Sequence, residues 1–427
     1  MDSRQQWPII RAPILMLPKP TQRKLAIYFS AMVVIHGYLV WQMRDSIRAG
    51  LPDFSIFYTA GRVLDSGNGS RLYDDNLQEQ LQRSFSPQAV ERRGSILPFN
   101  HLPFEALLFV PLVHFSYLTA YLVWLAINLS LLLLTLIILR RHLACLGRTP
   151  FWLWALACLG FGPIFIALVQ GQDSILLLFV CSLAFVLLRR QSDFRAGCCL
   201  AGGLSKYHLV FPVFVALSWR KRLVPGFLTI AVLLAAISLM ITGWQGLLNY
   251  PRYVWQSEHN SNYVWNQTTA NTANLRGLIS AVLPNQPRFG LFALVIGSII
   301  VFGAMLHLSR RVVGASPTDF CMIVALDLIG TLLLSYHVYI HDLSLLFLAI
   351  ALVFETLLFD GAVSPWVGRT LQSCMAVLLC SPVYLVLALH YVQLQVLAVV
   401  LLVFFVAGLR QLTGSQPRTS ASISAQA

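Results

Sequence analysis

Long apolar stretches recur along the whole chain, and short polar segments separate them. Ten of these stretches are 17 to 23 residues long, which is enough for a helix to cross a hydrocarbon core of about 30 Å. We therefore predict ten membrane spans. They lie near 25–42, 117–139, 150–169, 173–189, 223–243, 288–309, 318–336, 343–359, 370–390 and 392–410.

Two further apolar segments do not fit a simple span. The segment 101–115 contains Pro103 and Pro111, which favours a re-entrant or interfacial helix. The segment 196–218 has AGGLSKYHL at its centre and basic clusters at both ends. We predict two short half-helices that enter and return on the same side, a break tolerated where it faces protein or a polar cavity. The predicted fold is an all-α polytopic membrane protein with about 10 to 12 spanning or half-spanning helices.

Composition supports a membrane protein. Of 427 residues, 57% are hydrophobic and only 11% are charged, and the mean hydropathy is +0.70, whereas a soluble domain carries about 25% charged residues. The net charge of +13 comes from short Lys and Arg clusters between apolar runs, a pattern typical of cytoplasmic loops. No nucleic-acid partner is predicted. The eight Cys have no zinc or disulfide spacing and are interpreted as packing residues.

The charge distribution predicts an orientation. Residues 1–24 are basic and are predicted to form a cytoplasmic N-terminus, with no cleavable signal peptide. The segment 43–100 has seven Arg balanced by seven Asp and Glu, which places it outside, with interfacial helices near 54–66 and 74–93.

The predicted transmembrane domain covers 25–410, with outer loops at 43–116 and 244–287. The last residues, 411–427, are predicted to be a disordered cytoplasmic tail.

Polar residues at the outer face are the candidates for chemistry. Asp53 follows the first span, and acidic residues at a membrane edge are functional candidates. A solvated loop carboxylate or a helix cap is the alternative. Asn100, His101 and Glu105 form a second set, in which His101 and Glu105 are spaced to share one helix face. These residues either belong to a functional site or anchor the loop at the membrane interface.

A third set lies between two apolar spans, where His337 and His341 stand four residues apart beside Asp342. Three interpretations of these residues are open: they bind a metal, they contact a phosphate or a sugar, or they cap helices. No HExxH motif or third ligand accompanies it, so we predict no metal. Lys206, in the broken segment, pairs with an anionic headgroup or extends to the cytoplasmic surface.

Two more features belong to the same outer face. The uncharged turn 170–172 contains Gln172, and the loop 244–287 is rich in aromatic and amide side chains, among them Trp244, Trp255, Tyr263 and Trp265. Such side chains suit carbohydrate stacking and hydroxyl recognition, and equally an interfacial aromatic belt.

In the order and spacing of its motifs, the chain resembles glycosyltransferase family 87, a family of GT-C type membrane glycosyltransferases. The resemblance runs from Asp53 to about Leu345. It rests on DFSIFYTAGRVLDSGNGSRLYD, FNHLPFEALLFVPL, GQDSILLLF, AGGLSKYHLVFPVFV and SYHVYIHDLSLL.

The resemblance implies an inverting transferase with a polyprenyl-phosphate sugar donor, mannose in the known branch, acting on the periplasmic face. It implies that Asp53 is the general base. Our candidates for stabilising the leaving phosphate are Lys206, His337, His341 and Arg276. The remaining site residues, assigned to the acceptor or to loop positioning, are Asn100, His101, Glu105 and Gln172.

The segment Asn100–Pro103 departs from the looser family pattern, so the acceptor, a lipid or a glycan, stays open. The resemblance also implies a bacterial inner-membrane location, membrane lipids as partners and no cofactor. A secondary transporter or lipid flippase is the main alternative. It is disfavoured because the single broken segment has no counterpart in the second half. An O-antigen ligase or polymerase is a third hypothesis, but those enzymes place Arg and His in a late periplasmic loop.

Overall fold

A computed structural model describes residues 18–259, 272–359, 363–387 and 393–414. All regular secondary structure in these ranges is helical. The predicted N-terminal and C-terminal tails fall largely outside the described residues, as do Tyr263 and Trp265. Of those tails, Lys19 onward and the residues up to Gly414 are described, and both stretches are helical.

The α-helices are numbered in chain order. They are α1 Lys19–Arg48, α2 Phe54–Asp65, α3 Asp75–Phe85, α4 Pro87–Arg93, α5 Pro103–Ala106, α6 Tyr117–Arg140, α7 Ala144–Arg148, α8 Phe151–Leu159, α9 Gly162–Gln170, α10 Ser174–Arg189, α11 Asp193–Ala201, α12 Tyr207–Leu217, α13 Leu223–His259, α14 Leu275–Val282, α15 Pro287–Ser309, α16 Pro317–Leu334, α17 Leu346–Phe359, α18 Pro365–Leu379, α19 Ser381–Leu385 and α20 Val396–Gly414.

Within the described ranges, seven helices are long and apolar enough to cross a membrane, or up to nine if each of two bent pairs counts as one span. The all-α polytopic fold is therefore confirmed. Two of the ten predicted spans are not among these helices. α10 has only 16 residues, and the span predicted at 370–390 is interrupted between α18 and α19, where Cys380 and Pro382 stop one helix and start the next.

The span predicted at 150–169 is two helices, α8 and α9, bent by 62°. Gly160 lies at the bend, and a Cβ there would come within 3.0 Å of the Phe29 side chain, so glycine lets α1 pack closely. Pro163 sits at the start of α9, where its missing N–H costs no helical hydrogen bond. The bend brings the C-terminal end of α9 to the segment between α1 and α6, where Gln170 contacts Asp53.

The predicted break in 196–218 is present. Asp193–Ala201 and Leu204–Leu217 meet at 65°, and Gly202 and Gly203 lie between them. A short 3₁₀ turn, Leu204–Lys206, follows the glycines and places Lys206 directly before α12, with its side chain buried.

The segment between α1 and α6 folds as the pattern predicted, with one difference. α2 matches the first predicted interfacial helix, while the second is divided into α3 and α4, because Pro87 starts a new helix after Ser86. Phe54 and Phe57 of α2 are fully buried, and Phe57 stacks on Phe109 at 4.7 Å between ring centroids.

The predicted loop 244–287 begins as a helix. α13 continues to His259, with a break at Gly243, whose φ of 70° requires glycine. After this break the helix packs on the segment between α1 and α6. There Tyr250 donates to the Asn100 carbonyl at 3.1 Å and Tyr253 donates to Asp75 Oδ1 at 2.8 Å.

Candidate active site

A cavity of about 340 Å³ opens between the segment joining α1 to α6, the α9–α10 turn and the loop before α17. Most of the site residues predicted from the sequence line it. They are Asp53, Asn100, His101, Gln172, Lys206, His337 and His341. Glu105 lies behind His101, and Arg276 is not among the lining residues. Residues far apart in sequence therefore meet at one polar cavity.

Asp53 is held by the turn that ends α9. Gln172 Nε2 donates to Asp53 Oδ2 at 2.7 Å, and the Asp53 backbone N–H donates to Gln170 Oε1 at 3.1 Å. Gly171 between the glutamines has a φ of +64°, and a Cβ there would lie 2.8 Å from Phe54 Cβ. Only glycine allows this approach without strain. Two glutamines thus hold Asp53 from both sides.

Asp53 occupies the N-cap position of α2, yet its side chain makes no capping hydrogen bond. The helix-cap interpretation of this carboxylate is therefore wrong. Asp65, at the other end of α2, has 44% of its side chain exposed and does not line the cavity. Of these two carboxylates, only Asp53 faces the site.

Lys206 lies between two carboxylates at the base of the cavity. Its Nζ is 3.1 Å from Asp173 Oδ1 and 3.0 Å from Asp342 Oδ1, and all three side chains are buried. Ser205 donates to Asp173 Oδ2 at 2.9 Å, and Ser174 donates to Asp342 Oδ1 at 3.3 Å. Buried charges need such partners. The interpretation that Lys206 extends to the cytoplasmic surface is therefore wrong.

The segment that carries His101 is clamped to α3 by two fully buried glutamines. Gln82 accepts from the Leu97 N–H at 3.1 Å and donates to the Leu97 carbonyl at 2.7 Å. Gln78 accepts from the Phe99 N–H at 2.8 Å. In the absence of a β-strand partner, these amides satisfy the extended backbone and fix His101 at the cavity wall.

His101 and Glu105 contact each other as their spacing predicted. His101 Nδ1 is 2.9 Å from Glu105 Oε2, and the Glu105 side chain is fully buried while 15% of the His101 side chain is exposed. Burial opposes the charged imidazole, but the Glu105 carboxylate outweighs it and raises the pKa of His101 above its usual value. The imidazole ring also packs edge-on against Phe57 at 5.1 Å between centroids.

The loop 335–342 supplies the opposite wall. The Tyr339 N–H donates to Asp342 Oδ2 at 3.0 Å and begins a 3₁₀ helix, Ile340–Leu345, so the capping function in this cluster belongs to Asp342. His341 Nε2 lies 3.6 Å from Asp342 Oδ1. Burial lowers the pKa of His337 to about 3. His337 is therefore neutral at physiological pH.

Arg276 braces this loop from outside. Its Nη1 donates to the Tyr336 carbonyl at 3.2 Å, and the neighbouring Asn274 donates to the Ser335 carbonyl at 2.6 Å while capping α14. In this arrangement Arg276 contacts the loop backbone rather than the cavity.

The aromatic residues at the cavity differ from those expected. Trp244 and Trp255 are 64% and 67% exposed, as in an interfacial belt, and no described residue of 244–287 lines the cavity. The aromatic lining comes from Tyr207, Tyr336 and Tyr339.

Sequence reasoning also missed Asp173 as a site residue and did not pair Asp342 with Lys206. A carboxylate directly after the polar turn 170–172 was the available signal for Asp173.

One group of side chains has a composition that suits a metal. His101, Glu105 and Asp173 each offer a ligand atom, and these atoms lie within 4.8 Å of one another. The Lys206 ammonium, however, lies 3.1 Å from Asp173. It already supplies positive charge to that carboxylate and would repel a cation beside it. We therefore assign the group to an ion-pair network.

The fold and the site together define a polytopic α-helical membrane protein with a polar cavity rich in carboxylates and imidazoles. The model of glycosyltransferase family 87 matches residues 99–335, more than half of the chain. The chain belongs to this family and is a membrane glycosyltransferase. The match includes Lys206 but not Asp53 or His341. No curated protein and no solved structure shows significant similarity to it.

Proposed function

We propose that the protein is an inverting glycosyltransferase that moves a hexose, with mannose the first candidate, from a polyprenyl-phosphate donor to a lipid or glycan acceptor. The placement of Asp53 carries the proposal. It is a half-buried carboxylate in the cavity wall, held by Gln172 at 2.7 Å and without a capping function. A base so held is aimed at the space where an acceptor hydroxyl would lie.

In the proposed step, the acceptor oxygen attacks the anomeric carbon from the face opposite the phosphate. The O–H proton passes to Asp53, a new C–O bond forms, and the bond to the phosphate oxygen breaks with its electron pair left on the phosphate. A positioned base contributes about 10²–10⁴ in rate. One carboxylate suffices because the phosphate is already a good leaving group, in contrast to the two needed for glycoside hydrolysis.

The opposite wall of the cavity suits the donor. Lys206, His337 and His341 line it, and Arg276 braces the same loop from outside. We assign this wall to the phosphate and the sugar. Gln172, which contacts Asp53, and Asn100, which also lines the cavity, are assigned to the acceptor side. Electrostatic stabilisation of the charge that develops on the leaving group contributes most of the rate enhancement in such reactions, and no metal is required in this scheme.

Apolar side chains at the cavity, among them Ile56, Ile166 and Ile340, suit the isoprenoid chain of the donor and the surrounding membrane lipids. We place the cavity at the outer face of a bacterial inner membrane, since the balanced charge of 43–100 disfavours the cytoplasmic side.

The experiment is transfer of hexose from synthetic polyprenyl-phosphate mannose and polyprenyl-phosphate glucose to a membrane lipid extract, with purified protein in liposomes. We expect Asp53→Asn to lower kcat by about 10²-fold or more, while Asp65→Asn, the matched change at the exposed end of α2, has no effect. Wild-type rates for Asp53→Asn would refute the base assignment. Solute transport without consumption of donor by wild-type protein would favour the transporter instead.

A further inference from the structure

The charge balance around Lys206 leaves no surplus positive charge for a phosphate. One ammonium contacts two carboxylates, Asp173 at 3.1 Å and Asp342 at 3.0 Å. The serine hydroxyls of Ser205 and Ser174 donate to the same carboxylates and favour their ionised forms. The buried trio therefore carries a net negative charge, and a donor phosphate beside it needs a cation from elsewhere.

The other expected partners do not supply that cation. His337 is neutral, since burial lowers its pKa to about 3. Arg276 is bonded to the Tyr336 carbonyl outside the cavity lining. His341 faces Asp342, at 3.6 Å, which is already paired with Lys206. His208 also lines the cavity, but its Nδ1 is paired with the Ser335 hydroxyl at 2.7 Å rather than with a carboxylate. Among the described lining residues, this leaves His101 on the facing wall.

His101 has the partner that a cationic imidazole needs. Glu105 Oε2 lies 2.9 Å from its Nδ1, and the Glu105 side chain is fully buried. Apart from this contact, the Glu105 oxygens have no hydrogen-bond partner in the described part of the chain. Burial raises the pKa of Glu105 to about 7 and the neighbouring His101 lowers it, so the imidazole is the group that favours the ionised carboxylate. A buried carboxylate is costly without such a countercharge. The remaining charged groups that act on His101 are Asp173, which favours protonation, and Lys206, which opposes it.

We propose that His101, held protonated by the buried carboxylate of Glu105, is the group that takes up the charge developing on the donor phosphate. In this arrangement His101 is a catalytic residue and Glu105 a positioning residue. The wall of Lys206, His337 and His341 still receives the phosphate and sugar of the donor, but Asp173 and Asp342 already neutralise the charge of Lys206, so His101 on the facing wall supplies the countercharge. The inference rests on the proposed function, because it needs a phosphate donor.

The chemistry is balanced without a proton leaving His101. As the bond between the anomeric carbon and the phosphate oxygen breaks, its electron pair stays on that oxygen. The negative charge of the phosphate rises by one, and the imidazolium stabilises it as an ion pair and hydrogen-bond donor. The interaction strengthens as charge develops, so its removal lowers kcat more than it raises KM.

The test is the pH profile of kcat/KM with polyprenyl-phosphate mannose. The donor phosphodiester keeps one charge across the range, so an alkaline loss reports on the protein. For the wild type we expect activity to be lost as the pH rises through the raised pKa of His101. Glu105→Gln keeps the size of the side chain but removes its charge. We expect its alkaline limb to lie at least about one pH unit lower, whereas His101→Lys moves the limb to higher pH. Glu79→Gln, in an exposed i,i+4 pair on α3, is the matched control and leaves the profile unchanged.

A second measurement keeps the inference testable if Glu105→Gln fails to fold. We expect polyprenyl phosphate to raise the Tm of the wild type and uncharged polyprenol to leave it unchanged. We expect His101→Gln to lose this phosphate-dependent shift. The shift is taken relative to the variant's own unliganded Tm, which falls because the buried Glu105 loses its countercharge.

The role of His101 and Glu105 is overturned if the alkaline limb of the pH profile does not move in Glu105→Gln. It is also overturned if polyprenyl phosphate raises the Tm of His101→Gln as much as that of the wild type. If a chelator abolishes wild-type activity and Mn²⁺ restores it, the role of His101 and Glu105 is overturned in favour of a metal site. If wild-type protein neither uses the donor nor binds polyprenyl phosphate, the proposed function itself fails, and this inference falls with it.

Discussion

Gln172 donates a 2.7 Å hydrogen bond from Nε2 to Oδ2 of Asp53. The two residues come from the end of α9 and the start of α2, and Gln172 is nearly fully buried. An Asp side chain has several staggered rotamers and a broad terminal torsion, so this hydrogen bond fixes the direction in which the proposed base faces.

Gln172→Ala is the first prediction. A hydrogen bond to a charged group is worth about 1.5–3 kcal/mol, so we expect kcat to fall by about 10-fold or more with a smaller change in KM. The measurement is steady-state transfer, with Gln42→Ala on the exposed face of α1 as the control. An effect on KM alone would assign Gln172 to acceptor binding rather than to the orientation of Asp53.

Gly171→Ala should disable the same turn. Its φ of +64° disfavours any side chain, and a Cβ would lie 2.8 Å from Phe54 Cβ. We expect a destabilisation of about 2–4 kcal/mol from backbone strain and overpacking together, measured by thermal unfolding in detergent. Gly67→Ala is a close control, since Gly67 has a φ of +73° and nothing within 4 Å. It isolates the cost of backbone strain, and equal losses at both sites would show that contact with Phe54 is unimportant.

Lys206→Met tests the ion-pair network. The change leaves Asp173 and Asp342 buried without their cation, and breaking a buried pair costs about 3–5 kcal/mol. We expect a large loss of Tm, and partial recovery when Asp173→Asn and Asp342→Asn are added. Lys221→Met, at an exposed position, should be neutral. A stable, inactive Lys206→Met protein would instead support direct contact between Lys206 and the donor phosphate.

Gln78→Ala probes the clamp on the segment before His101. It removes the acceptor of the Phe99 N–H and the donor to the Leu72 carbonyl. Buried unsatisfied groups cost about 1–3 kcal/mol each. We expect lower stability together with lower kcat, because His101 loses its fixed position. The exposed neighbour Gln80→Ala serves as the control. Reduced stability with normal kcat would show that the clamp is purely structural.

Much of the fold follows from local patterns. Apolar length predicted the spans, and the charge balance with amphipathic spacing predicted α2 and the region of α3 and α4. The glycine pair at Gly202–Gly203 predicted the break before Lys206. Prediction failed where a helix stop depends on packing. The bend between α8 and α9 accompanies the close approach of Phe29 to Gly160. α13 continues past Gly243 because its later turns form hydrogen bonds with the segment between α1 and α6.

The candidate site also has a part that the sequence predicts and a part that it does not. The sequence by itself determined a membrane protein, its family resemblance and most of the polar residues that line the cavity, because apolar length, charge and motif order are properties of the linear chain. Only the tertiary structure decided which charges pair. The contacts of Lys206 with Asp173 and Asp342 join three elements distant in sequence. Their pairing depends on how the starts of α10 and α12 and the loop before α17 pack together, and no periodicity along the chain encodes that packing. The hydrogen bond from Gln172 to Asp53 has the same origin.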